Sequence, residues 1–306
     1  MSRTASSTRQ ARGRWQDASW LRASLAWHCG AVALTLLRPH WWPWTGSALI
    51  ANHLVLTGLG LWPRSRALGP NWTALPAAAA ARGEVAITFD DGPDPDVTPQ
   101  VLSILAQRRA RATFFCIGER VAQFPHITRA CVAQGHAVEN HSYRHEHWFS
   151  LLGYGALCSE LQRAQQDIER ASGIAPRFFR APAGLRNALL EPVLERLQLQ
   201  LASWTRRGFD TVNGDPELVL RRLSRRLGGG DILLLHDGHA ARTSTGAPVV
   251  LEVLPRLLEA IERLGLRTVT LRDALVGRVR AQPMARAAAA PAYTAAPTAA
   301  ASGARP

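Results

Sequence analysis

Val85-Ala86-Ile87-Thr88-Phe89-Asp90-Asp91-Gly92-Pro93 is the stretch on which the fold turns. Its first five residues are β-branched, aromatic or small, as suits a strand buried on both faces. Gly92-Pro93 ends the run and leaves two carboxylates at its tip. Adjacent residues on a strand point to opposite sides, so Asp90 and Asp91 can do different work. A turn whose acids merely cap a helix starting at Thr98-Pro99 is the plainer alternative.

Working outward, strand-like runs occur at 84–89, 112–117, 137–140, 177–180, 199–204, 231–235 and 267–271. Amphipathic helical stretches lie between them at 101–107, 127–134, 156–171, 218–227 and 249–264. Seven strands, each followed by a helix or long loop, argue for an α/β fold of parallel strands with helices outside. No fixed-period repeat underlies the pattern.

The 306-residue chain is 47% hydrophobic, enough for a real core, which excludes a wholly disordered or collagen-like protein. The formal charge is +13, and all basic residues are Arg. Residues 1–82 carry a balance of +8 and residues 277–306 one of +4, leaving the foldable centre at +1. Duplex binding needs cations on the folded surface, so no nucleic-acid partner is expected. Four cysteines, Cys29, Cys116, Cys131 and Cys158, lack paired spacing and are read as buried thiols.

The flanks give the expected organisation: a basic segment over 1–22, an apolar helical hairpin over 23–62, a linker over 63–83, the α/β domain over 84–276 and an Ala/Pro-rich tail over 277–306. The Ala-rich part of the linker, 75–81, and the tail are expected to be disordered. In the hairpin, two uncharged runs flank Trp41, Trp42 and Trp44, which reads as two short membrane spans with an aromatic belt at the turn. An interfacial wedge and a cleaved signal peptide are the alternatives. Arg before the first run and after the second predicts a membrane-anchored protein whose catalytic domain faces the cytoplasm.

Functional groups in such sheets gather at the carboxyl ends of strands. After the third strand comes Asn140-His141-Ser142-Tyr143-Arg144-His145, with His147 beyond. The His-x3-His spacing puts two imidazoles within reach of one metal, and a carboxylate from another strand would complete three protein ligands with an open position. His147 is an alternative ligand that spacing leaves open. The fourth strand ends at Arg180-Ala181-Pro182-Ala183-Gly184, the fifth at Ser203-Trp204 with Asp210 beyond, and the sixth at Leu234-Leu235-His236. A histidine directly after a buried strand, with a carboxylate such as Asp210 near it, fits a general acid. Each cluster alone has a bland reading, but independent turns would not pool acids, histidines and an arginine on one rim.

These residues resemble the polysaccharide deacetylases of the NodB-homology superfamily, carbohydrate esterase family 4, over about 84–275. Thr88-Phe89-Asp90-Asp91-Gly92-Pro93 matches the first motif and implies Asp90 as catalytic base and Asp91 as metal ligand. His141 to His145 matches the second and implies both histidines as ligands. Arg180 matches the arginine that pairs with the base, and Pro182 and Gly184 match as well, but Ala183 replaces the usual aromatic. Asp210 matches the acid that orients the catalytic histidine, with Thr211 where the family has Trp, and the motif ending at His236 is intact. Substrate and oxyanion contacts are expected at Pro182, Ala183, Gly184, Trp204 and Leu234.

The resemblance implies a distorted barrel of seven or eight βα units behind the hairpin. It also implies a Zn2+ (or other divalent metal) cofactor and hydrolysis of N-acetyl groups on amino sugars, releasing acetate. Hydrolysis of another C–N bond, such as a formamide, and metal and sugar binding without turnover are the rival readings. With the active site inside the cell, a lipid-linked amino sugar is favoured over finished wall polymer.

Overall fold

The computed structural model describes residues 19–276, so the basic segment before Ser19 and the tail over 277–306 lie outside the described residues. Strand β1 (Glu84–Gly92) is buried at every position. It is the centre of a sheet with β2 (Ala112–Cys116), β3 (Ala137–Asn140), β4 (Phe178–Phe179), β5 (Gln200–Leu201), β6 (Arg206–Arg207), β7 (Ile232–His236) and β8 (Arg267–Thr268). The order is β5-β4-β3-β2-β1-β7-β6, with β8 beside the start of β1, and every ladder is parallel. No ladder joins β5 to β6 among the described residues, so the curled sheet forms a distorted barrel open on one side. The expected (β/α)7-8 architecture holds. The unexpected strand is β6, two arginines that carry no strand signature and join through backbone pairing with Leu233 and Leu234.

The period of two along a strand decides what faces where. Val85, Ile87 and Phe89 of β1 pack with Phe114, Leu233 and Leu235 against the surrounding helices. Ala86 faces inward with Phe115, Phe178, Trp204, Ile232 and Leu234. Register pairs Ala86 with Ile232, Thr88 with Leu234 and Asp90 with His236. Continued in steps of two, that face carries Asp90 at the end of β1, Arg180 just beyond β4 and His236 at the end of β7.

The outer layer comprises α4 (Thr98–Gln107), α5 (Gly118–Gln123), α6 (Pro125–Ala133), α7 (Tyr154–Ser172), α8 (Leu190–Arg196), α9 (Pro216–Ser224), α10 (Val249–Arg263) and α11 (Leu271–Val276). Helix α10 buries Val250, Val253, Leu254, Leu257, Leu258 and Ile261, the stripe expected of an amphipathic helix on a sheet. Helices α5 and α8 are too short for periodicity to reveal them. Asp215 caps α9 by accepting from the Glu217 and Leu218 N–H groups.

The apolar hairpin forms as α1 (Ser19–Leu37) and α2 (Trp42–Gly60), but the membrane reading does not stand. No helix among the described residues is long and apolar enough to cross a membrane. Each of the two has 19 residues, about 28 Å of rise against about 30 Å of hydrocarbon. Their hydropathy is diluted by Arg22, His28, Asn52, His53 and several Ser, Thr and Gly. Those polar groups pair the helices instead. His28 Nε2 lies 3.2 Å from His53 Nε2, Asn52 Nδ2 donates to Ser24 Oγ at 2.7 Å, and Thr35 and Thr45 hydroxyls meet at 2.7 Å. Membrane anchoring, and the cytoplasmic placement argued from it, are therefore withdrawn.

The Ala-rich stretch 75–81 is also corrected, from disordered linker to structure. Ala77–Ala81 forms helix α3, with Ala79 fully buried. Trp72 pairs with Ala202 beyond β5, and Leu68 and Leu75 are buried. Small side chains let α3 lie close against the turn at Gly229 and Gly230, where an added Cβ would meet Ala80. Of the cysteines, Cys116 and Cys131 are buried, Cys158 is half-buried, and Cys29 is exposed, contrary to its reading as a buried thiol.

Because α3 is packed, Ala79→Leu should destabilise the protein by about 1–3 kcal/mol through overpacking. Ala78→Leu, on the exposed side of the same helix, should stay within about 0.5 kcal/mol. Urea unfolding of the two variants distinguishes packed helix from loose linker. His136 supplies a second test. Its Nδ1 accepts the Ala112 N–H at 3.2 Å, and burial, with Arg111 nearby, holds its pKa down at about 4. As pH falls the unfolded chain takes the proton first, so stability is full above about 6.5 and roughly 3 kcal/mol is lost as pH approaches 4. His136→Asn, which keeps an acceptor but does not titrate, should flatten that slope in unfolding curves measured at several pH values.

Candidate active site

The strand tips converge on one cavity of about 630 Å³ lined by Asp90, Asp91, His141, His145, Ala183, Gly184, Trp204, Leu234 and His236. Arg180 and Asp210 stand behind its wall, both fully buried. Pro182 is buried and does not line the cavity. His147 reaches the wall but is exposed.

Arg180 anchors the first cluster. Its Nη1 donates to Asp90 Oδ1 at 2.6 Å and to Thr88 Oγ1 at 2.8 Å. Nη2 donates to the Ser203 carbonyl at 2.8 Å and Nε to the Ala202 carbonyl at 3.1 Å. The guanidinium lies 4.1 Å from the Phe115 ring centroid. Burial lowers its pKa, and Asp90 opposes the shift. The starting value is so high that Arg180 stays charged. One oxygen of Asp90 is thus fixed, while the other, Oδ2, lies 3.9 Å from His141 Nε2.

The second cluster joins Asp91, His141 and His145, whose donor atoms all lie within 4.8 Å of one another. His141 Nδ1 donates to the Arg180 carbonyl at 2.8 Å, which fixes the tautomer and leaves the Nε2 lone pair facing Asp91 Oδ1 at 3.3 Å. His145 Nε2 approaches the same oxygen at 3.2 Å. Burial and the neighbouring His141 hold His145 down at about 4, so it too presents a lone pair at neutral pH. Asp91 Oδ1 is buried and accepts no hydrogen bond. Three electron-pair donors aimed at one point, with an orphaned carboxylate oxygen among them, fit a divalent cation. Burial disfavours the His141 imidazolium, yet the Asp90 and Asp91 carboxylates raise its pKa, another sign that the cluster calls for positive charge.

The loop carrying both imidazoles is held by its own side chains. Asn140 Oδ1 accepts the Ser142 N–H at 2.9 Å, and Glu160 Oε2 accepts the Tyr143 and Arg144 N–H groups. Close backbone approach at the β1 and β7 tips requires Gly92 and Gly238. A Cβ on the first would enter the Asp237 carboxylate, and one on the second the Asp91 carbonyl.

Across the cavity, His236 Nδ1 lies 2.8 Å from Asp210 Oδ1, and Asp210 Oδ2 accepts the His236 N–H at 2.7 Å. Burial alone would lower the His236 pKa, but the Asp210 hydrogen bond and charge outweigh it and raise it. A buried imidazole that keeps its proton at Nε2 is suited to donate it. Ala183 has φ 52° and ψ 7°, a left-handed conformation unusual for a residue with a Cβ.

Two wall residues that the sequence does not single out are His239 and Arg207. His239 Nδ1 lies 3.5 Å from Asp91 Oδ2, and its position just beyond the Asp237-Gly238 turn was the available signal. Asp237 is pushed up to about 7 by burial and accepts the Thr98 hydroxyl at 2.6 Å. Arg207 escapes a reading of the sequence because residues 206–207 carry no strand signature.

The chain is similar to proteins of known activity. The family profile described as polysaccharide deacetylase matches residues 78–202. A peptidoglycan-N-acetylglucosamine deacetylase of Bacillus cereus is 34% identical over 199 residues, covering 62% of this chain and 87% of the relative. A chitooligosaccharide deacetylase of Azorhizobium caulinodans is 35% identical over 158 residues, covering 51% and 75%. Among solved structures, a family 4 carbohydrate esterase from Streptomyces lividans in complex with acetate superposes with a TM-score of 0.55 at 36% identity, covering 61% of this chain and 91% of that one.

The donor geometry gives a direct expectation. Purified protein loaded with zinc should hold about one equivalent, and His141→Ala should lose it by elemental analysis. His147→Ala should keep it. Metal retained in the first variant or lost in the second would displace the ligand set of Asp91, His141 and His145.

Proposed function

The chain belongs to the polysaccharide deacetylase family, carbohydrate esterase family 4, and on that premise we propose that it removes N-acetyl groups from amino sugars of a glycan by metal-dependent hydrolysis. As a deacetylase it is a hydrolase, and its relatives act on N-acetylated saccharides as their names state. The finer reading is carried by one observation. A clamped carboxylate, a three-donor cluster and a carboxylate-backed imidazole face one another across the same cavity.

Asp91, His141 and His145 would hold the cation, zinc by preference for this nitrogen and oxygen donor set. When bound, the metal supplies Lewis acidity toward the acetamide oxygen and the attacking water. Asp90, oriented by the Arg180 guanidinium at 2.6 Å, takes the proton of that water. The backbone N–H of Ala183 donates to the oxygen on which negative charge develops. His236, held by Asp210, delivers its Nε2 proton to the departing amine, leaving free amino sugar and acetate. Trp204 and Leu234 would form the apolar wall beside the acetyl group, and Gly184, where an added Cβ would meet Trp204 and Pro63, lets the turn pack closely against that wall. Pro182 acts through the turn rather than by contact. A lipid-linked substrate was argued from a membrane-apposed site and loses its basis with the spans, so the favoured substrate is a glycan chain.

Asp90→Asn and His236→Ala should each fold and keep metal while acetate release from N-acetylglucosamine oligomers falls about 10²-fold or more. Wild-type rates in both would leave the acid and base roles without support. Activity should also fall as pH rises through the raised pKa of His236, because the acid must carry its proton. Asp210→Asn removes the charge that raises that pKa, so the alkaline limb of the kcat profile should move to lower pH.

A further inference from the structure

Three arginines reach the wall of the active-site cavity, and they differ in how their charge is met. Arg120 lies 3.5 Å from Asp94, and Arg144 is exposed. Arg207 is half-buried and forms neither an ion pair nor a side-chain hydrogen bond among the described residues, and its Nε is shielded from solvent without a partner. Pairing of β6 with β7 puts Arg207 beside Leu234, two residues before His236, on the face that looks into the cavity.

The side chain is nonetheless held in place. Its guanidinium lies 5.3 Å from the Trp204 ring centroid and 5.0 Å from that of Phe209. Such ring contacts hold the group in position and supply some attraction, but they provide no counter-charge. The location is adverse within the protein as well, since the Arg207 charge adds to the burial that lowers the Arg180 pKa. A fixed cation with an unmet donor, next to a second buried cation and open to the cavity, is provided for by something that enters the cavity.

We propose that Arg207 receives a carboxylate borne by the substrate, so that the preferred glycan is acidic, with its carboxylate on or next to the N-acetylated sugar. This rests on the deacetylase reading above. A carboxylate fits better than a phosphate. One flat guanidinium held beside aromatic rings presents a two-pronged edge that matches a planar, singly charged acid.

The test uses three oligosaccharides of equal length: neutral N-acetylglucosamine, the same chain with a 3-O-lactyl carboxylate, and the same chain with a 6-phosphate. The wild-type protein should favour the carboxylated substrate through KM. Arg207→Gln should lower the carboxylated-to-neutral ratio of kcat/KM by about tenfold or more, as for loss of a charge-assisted contact. Arg207→Lys, which keeps the charge but not the fork, should fall between. A ratio that is the same in Arg207→Gln and wild type, or a preference for the phosphorylated chain, overturns the proposal. Calorimetric binding of the carboxylated chain to Asp90→Asn, with and without Arg207→Gln, reads the same preference without turnover. Tight binding that depends on Arg207, together with no hydrolysis of any of the three, would sink the deacetylase reading and leave this one standing. Equal affinity with and without Arg207 would sink this one alone.

Discussion

The buried ion pair between Arg180 and Asp90 is the constraint on which the rest of the site depends. Its guanidinium donates to Thr88 and Asp90 on β1 and to the carbonyls of Ala202 and Ser203 just beyond β5, so one side chain ties strands from both sides of the barrel interior. The Arg180 carbonyl also fixes the tautomer of His141. Paired burial of this kind adds little net stability compared with an apolar core of the same shape, but removing one partner leaves the other charged and dry. It fixes geometry above all: Asp90 is held with one oxygen committed and the other toward His141.

Everything around that pair follows from a sheet covered on both faces. Outward residues of β1, β2 and β7 pack against helices, and inward residues fill the barrel, so polar groups have room only where the strands end. Register then decides the company each group keeps. Asp90 meets His236 because β1 and β7 pair in step from Ala86 with Ile232 onward, and Asp91, one residue later, turns to the other cluster with φ 70°. Adjacent acids thus separate into a clamped carboxylate and one with a free oxygen. The two glycines at the tips allow the β1 and β7 loops to approach as closely as this requires.

The segment before the barrel is continuous with it rather than a separate attachment. The Gly60 carbonyl accepts the Arg186 N–H at 3.1 Å, and the Pro63 carbonyl accepts the Ser203 hydroxyl at 2.6 Å, next to a carbonyl that holds Arg180. The chain between hairpin and β1 therefore braces the open side of the sheet, where Trp72 adds its bridge to Ala202.

The sequence by itself determined the fold class and placed Asp90, Asp91, His141, His145, Arg180, Asp210 and His236 at or beyond strand ends, because strand-like runs and the polar residues that end them are local properties that survive without a partner. It misjudged what depends on nonlocal surroundings. Uncharged runs at 23–62 looked like spans, since a window of residues does not show that His28, Ser24, Asn52 and His53 meet one another across a hairpin. Ala77–Ala81 looked like linker because alanines carry no apolar stripe, and only the glycines at 229 and 230 make their smallness useful. The strand at Arg206–Arg207 was invisible because it is held by backbone pairing to β7, and the free charge of Arg207 emerged only once its neighbours were known. His239 likewise became part of the site through the turn after His236. Tertiary structure decided these because contact, burial and unmet charge belong to pairs of residues far apart in the chain.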